Sequence, residues 1–126
     1  MKLQTIYLTV NDFDRSLDFY RKIFNRHESL IMPWGQGSDR VAFFELDDFR
    51  FMMSFEEQLV TSTHRQRVWL EFEDSDPSAT LERLEVEAIQ ISERLHHTPA
   101  GSTAFNVVDP DGNSIRFGTR WDLPKL

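Results

Sequence analysis

The chain has 126 residues, 40% hydrophobic and 28% charged, with a net charge of −7 and no cysteine. That length suits one ordinary domain with its own core, and the missing cysteine excludes disulfides, thiolate nucleophiles and zinc–cysteine sites. The acidic balance argues against nonspecific nucleic-acid binding, whose phosphates demand Lys and Arg; no apolar run reaches membrane-spanning length, and the N-terminus enters a strand pattern with no leader signal, so a cytoplasmic protein is expected.

Residues 3–10 alternate, with Ile6, Leu8 and Val10 on one side and Thr5, Tyr7 and Thr9 on the other, which predicts a strand. Asp14 is the expected N-cap of a helix running to about Asn25, with Leu17, Tyr20, Ile23 and Phe24 as its buried stripe. Asn25 can supply a left-handed stop. A short strand over Glu28 to Met32 is followed by a loop carrying Trp34, Gly35 and Gly37. Arg40 to Leu46 and Phe49 to Phe55 form a predicted hairpin turning at Asp47-Asp48.

Residues 57–66 form a polar linker without a strong pattern. A strand over Arg67 to Phe72 then leads to Asp76 and Pro77, an N-cap with Pro in the first helical position, and the helix ends near Glu87. A short strand over Ile89 to Ile91 and a polar loop containing His96 and His97 precede the last hairpin, Thr103 to Val108 and Ser114 to Gly118. Its turn, Asp109-Pro-Asp-Gly-Asn113, uses Pro to preset φ and Gly to supply positive φ. Residues 120–126 form a tail with Trp121.

These elements state one pattern twice. Asp12, Asp14 and Ser16 recur as Asp74, Asp76 and Ser78, at an offset of 62 (74 − 12), and Ile6, Leu8 and Val10 recur as Val68, Leu70 and Phe72. A repeat of this size implies a unit unable to bury its apolar face alone. The expected organisation is an α+β domain of two βαβββ modules, 1–56 and 67–119, joined by the linker 57–66 and closed by the tail.

A repeated βαβββ unit with VNDFDRSLDFY over Val10 to Tyr20 and VDPDGNSIRF over Val108 to Phe117 resembles the vicinal oxygen chelate superfamily. That group includes glyoxalases, extradiol dioxygenases and bleomycin resistance proteins. The resemblance covers nearly the whole chain and implies two four-stranded sheets curled into an open cup, often paired as a homodimer. It further implies that metalloenzymes of the group place His, Gln or Glu early on each module's first strand and Glu on each last strand. The matching positions here are Thr5, Met52, Arg67 and Arg116. They are not a ligand set for a divalent metal, and each Arg brings a permanent positive charge. No metal or other cofactor is therefore expected.

His27, His64, His96 and His97 show no ligand spacing and are expected at the solvated surface. Strand parity places Thr5, Tyr7, Thr9, Arg67, Trp69 and Glu71 toward the cup, with Arg50, Met52, Ser54, Ser114 and Arg116 from the last strands. The expected ligand-binding residues are Tyr7, Trp34, Phe43, Met52, Arg67, Trp69, Glu71 and Arg116. Arg67 and Arg116 could hold a ligand carboxylate or phosphate, stack on aromatic rings, or pair with Glu71 and Glu45 as filler. Trp34 is either a rim residue or a loop anchor, and Trp121 covers an end of the cup or packs on a partner chain.

No nucleophile, base and orienting group stand together, so no catalytic residue is expected. The resemblance to the bleomycin resistance branch implies a metal-free protein that sequesters a planar or aromatic small molecule, with antibiotic resistance as one use. The alternative is a divergent enzyme of the same superfamily (lyase, isomerase, dioxygenase or transferase) with an unrecognised metal or acid–base site. A non-ligand role, with the cup plugged by Arg–Glu pairs, is the third reading.

Overall fold

The structure, a computed structural model, describes residues 1–35, 37–60 and 67–123. It divides into two compact units, Met1–Arg65 and Gln66–Leu126. His64 and most of the expected linker lie outside the described residues, but Glu57–Val60 forms a helical turn rather than irregular chain.

In the first unit β1 (Thr5–Thr9), α1 (Phe13–Phe24), β2 (Leu30–Pro33), β3 (Arg40–Glu45) and β4 (Arg50–Phe55) build a sheet ordered β1-β4-β3-β2. β1 runs parallel to β4, while the β4–β3 and β3–β2 pairs are antiparallel. Asn25 closes α1 in the left-handed region at φ 53°, as its short polar side chain permits. Tyr20, Phe44, Phe51 and Met53 are fully buried, and the Tyr20 ring centroid lies 4.7 Å from that of Phe51. At the end of α1, Arg21 donates through Nε and Nη2 to both Glu28 oxygens at 2.6 and 2.8 Å. Those bonds hold the Glu28 carboxyl below the usual carboxylate range and the Arg21 pKa above its own.

The helical turn Glu57–Val60, α2 in chain order, belongs to the first unit; the second holds β5 (Trp69–Glu73), α3 (Pro77–Val86), β6 (Ile91–His97), β7 (Thr103–Val108) and β8 (Ser114–Gly118). The sheet order β5-β8-β7-β6 repeats that of the first unit, again with one parallel pair, β5–β8. Phe72, Phe117 and Phe105 stack across three strands at centroid separations of 5.8 and 5.3 Å. The architecture is therefore α+β, with two βαβββ modules in tandem.

Three expectations are corrected. The N-cap of α1 is Asp12, whose carboxylate accepts the Arg15 N–H at 3.2 Å, and not Asp14. Asp14 instead reaches Arg40 at 3.3 Å. The second strand of the second module is β6, Ile91–His97, so His96 and His97 stand on a strand rather than in a loop. Register shifts between Ile91 and Glu93 and between Glu93 and His96 break its alternation, which removes the period-2 signal that identifies a strand.

The third correction concerns the repeat. Asp12 caps α1 and Asp76 caps α3 through the same 3.2 Å bond to the third following N–H, so the modules superpose at an offset of 64 (76 − 12). The strand ladders agree: Arg50 N donates to Gln4 O and Ser114 N to Val68 O, again 64 positions on. Thr5 thus corresponds to Trp69, not Arg67, which lies before β5. An N-cap carboxylate is worth about 0.5–2 kcal/mol. Asp12→Ala and Asp76→Ala should each lower thermal stability by that much, whereas Asp14→Ala, which breaks only a surface ion pair, should cost under about 1 kcal/mol in the same melting experiment.

Candidate functional site

Each module presents a sheet face directed away from its helix, and strand register decides what stands on it. In the first unit Tyr7 pairs with Met52 and Met52 with Phe43, so three expected ligand-binding residues form one row across three strands. Leu30 continues it on β2. Tyr7 remains 45% exposed, with its hydroxyl 3.5 Å from Glu56 Oε2. Thr5 pairs with Arg50 in the neighbouring row, and Arg50 Nε donates to Glu45 at 2.7 Å. Glu45 is therefore neutralised by Arg50 rather than by Arg67 or Arg116. Trp34 sits half-buried in the β2–β3 loop, its backbone N–H bonded to Asp39 O at 3.0 Å.

The second unit carries the denser arrangement. Glu71, Arg116, Asn106 and Glu93 are paired successively across β5, β8, β7 and β6. Arg116 Nε donates to Asn106 Oδ1 at 3.0 Å, and its Nη1 stands 3.8 Å from Glu71 Oε1. The guanidinium carbon lies 5.2 Å from the Trp69 ring centroid, within cation–π range. The other Glu71 oxygen accepts the Trp121 indole N–H at 2.9 Å. The tail thus returns to the edge strand β5, and Arg120 follows the same course to Glu73 at 3.9 Å. A cavity of about 170 Å³ lies between this tail and β5, lined by Glu71, Phe72, Glu73 and the segment Gly118–Trp121.

Trp69 projects 63% exposed from β5. Burying an indole is strongly favourable, so a half-uncovered one held on a regular strand beside a guanidinium is a surface suited to stacking. Arg67 is not part of this cluster. It is exposed ahead of β5, and a Cβ built on Gly112 would meet its Nε at 3.7 Å, which places it against the hairpin turn.

Asn106 was not among the residues singled out from the sequence, yet it orients Arg116 and is only 5% exposed. The available signal was one amide inside an otherwise apolar strand, TAFNVV. The irregularity of β6 hid a second feature. His96 and Glu93, three residues apart, would face opposite sides of a regular strand, but they meet at 3.4 Å.

The metal-ligand positions of the resembled superfamily, taken in structural register, hold Thr5, Met52, Trp69 and Arg116. A hydroxyl, a thioether, a donor-only indole and a cationic guanidinium do not fit a hard or borderline divalent ion. Replacing Arg67 by Trp69 in that set leaves the misfit unchanged.

The family model of the Glyoxalase/Bleomycin resistance protein/Dioxygenase superfamily matches residues 2–117. Among solved structures, TioX from Micromonospora sp. ML1 is 20% identical with a TM-score of 0.70, covering 94% of this chain and 98% of that one. A glyoxalase/bleomycin resistance protein from Catenulispora acidiphila is 18% identical at TM-score 0.67, over 95% and 99% of the two chains. A lactoylglutathione lyase from Agrobacterium tumefaciens is 19% identical at TM-score 0.63, over 92% and 91%. At such identities the likeness concerns the fold alone. No curated protein matches the chain in sequence.

Proposed function

The chain belongs to the Glyoxalase/Bleomycin resistance protein/Dioxygenase superfamily, and we propose that it is a metal-independent member that binds a planar or aromatic small molecule by stacking on Trp69. The carrying observation is the 63% exposed Trp69 ring beside the Arg116 guanidinium. The misfit of Thr5, Met52, Trp69 and Arg116 to a divalent ion supports binding over metal-assisted catalysis. Sequestration by a cytoplasmic homodimer, as in drug resistance, is the biological form of this reading.

Stacking on an indole contributes on the order of 0.5–1.5 kcal/mol beyond area burial. Trp69→Ala should therefore weaken binding of a responsive compound about tenfold or more once the lost contact area is included. Intrinsic tryptophan fluorescence, titrated with a panel of fused-ring aromatics against wild type and Trp69→Ala, measures this. Absence of any binder in the panel, or equal affinity in the variant, would overturn the proposal. Stoichiometric zinc, nickel, manganese or iron in protein purified without chelator would instead favour a metalloenzyme.

A further inference from the structure

Arg116 has more donor capacity than the protein uses. Its Nε bonds to Asn106 at 3.0 Å, but Nη1 approaches Glu71 only to 3.8 Å, beyond hydrogen-bond range. Its guanidinium makes no other hydrogen bond among the described residues. The side chain keeps 19% of its exposure, yet neither terminal nitrogen is fully buried, so both remain accessible to a ligand and have no close acceptor in the protein.

The carboxylates on the same face are differently placed. Glu71 Oε2 accepts from Trp121 at 2.9 Å, Glu73 lies 3.9 Å from Arg120, and Glu93 lies 3.4 Å from His96. Glu71 has the Trp121 donor and Glu73 the Arg120 cation, and the anchor of Arg116 is a neutral amide that leaves its charge intact. The unmet requirement on this face is for an acceptor.

We infer that the ligand is an aromatic carboxylate: its ring stacks on Trp69 and its carboxylate accepts from the terminal nitrogens of Arg116. This rests on the stacking role of Trp69 proposed above and adds a charge to it. A carboxylate matches the planar fork of a guanidinium, which a lysine ammonium cannot reproduce. The guanidinium lies over the Trp69 ring, its carbon 5.2 Å from the centroid, so a ligand ring stacked on the uncovered part of the indole brings an acid group attached directly to it up to the terminal nitrogens.

The test is calorimetric titration with three compounds sharing one ring system: 2-naphthoate, 2-naphthamide and 2-naphthylmethylammonium. The expected order places 2-naphthoate about tenfold or more ahead of the neutral amide, with the ammonium weakest. Arg116→Gln should weaken naphthoate far more than the amide and so erase the preference, and Arg116→Lys should restore only part of it. Trp69→Phe should weaken naphthoate and amide alike. If the amide or the ammonium binds wild-type protein as well as naphthoate does, the charge assignment is wrong and the stacking role stands. If none of the three binds, both fail. Should Arg116→Gln not fold, the wild-type order and Arg116→Lys decide the question alone.

Discussion

Phe51→Ala should lower the free energy of unfolding by about 3–5 kcal/mol, the usual cost of emptying a fully buried aromatic site. Phe51 stands on β4, which is hydrogen-bonded on both sides, by β1 and β3, and has no exposed surface. Its ring lies 4.7 Å from Tyr20, 5.1 Å from Phe24 and 6.3 Å from Phe44. Truncation removes the ring to which the other three pack, and neighbours held by helix and sheet can close such a space only in part. With a typical domain stability of roughly 5–15 kcal/mol, that loss is a large fraction of the total. The urea midpoint of the variant should fall accordingly, and Phe51→Leu should recover much of it. An unchanged midpoint would mean that the cluster does not carry the first module.

Asp109→Ala should be the next most damaging change, at about 2–4 kcal/mol, because it strips acceptors from several buried donors at once. Asp109 is 3% exposed. One oxygen accepts the backbone N–H of Asp111 at 2.9 Å and of Asn113 at 2.8 Å; the other accepts the Asn113 side-chain amide at 2.8 Å. That amide is thereby oriented so that its oxygen accepts the Val68 N–H at 2.8 Å. The turn therefore does more than reverse the chain. It fixes where β5 begins relative to β8, and so where Trp69 stands relative to Arg116. Loss of Asp109 should lower both the thermal midpoint and ligand affinity, with Asp109→Asn intermediate on both. A variant that melts lower yet binds normally would separate the turn from the site.

Much of this was legible in the residues. The hairpin turn Asp109–Asn113, the β7 and β8 spans and the left-handed stop at Asn25 follow from local chemistry, since Pro fixes φ while Gly and Asn admit positive φ wherever they stand. The βαβββ order follows from hydrophobic period, which α1 and the central strands keep and β6 does not. Asp12 and Asp14 are equivalent as N-cap signals in the sequence. Only the position of the Arg15 N–H, 3.2 Å from Asp12, separates them. β6 was cut short because its irregular register erases alternation.

The repeat by itself determined the number of modules and which side chains leave the helix-packed face, and with the segments Val10–Tyr20 and Val108–Phe117 it pointed to the fold family. The sequence offset of 62 and the structural offset of 64 assign the same face, because a strand repeats every second residue and a slip of two preserves the face. What the tertiary structure alone decided is which residues share a row. Trp69, not Arg67, corresponds to Thr5, and Glu71, Arg116 and Asn106 stand together while Arg67 rests against its own turn. Rows are set by hydrogen-bond register between strands distant in sequence, and register depends on turn length and cap geometry. No pattern within a single strand records them.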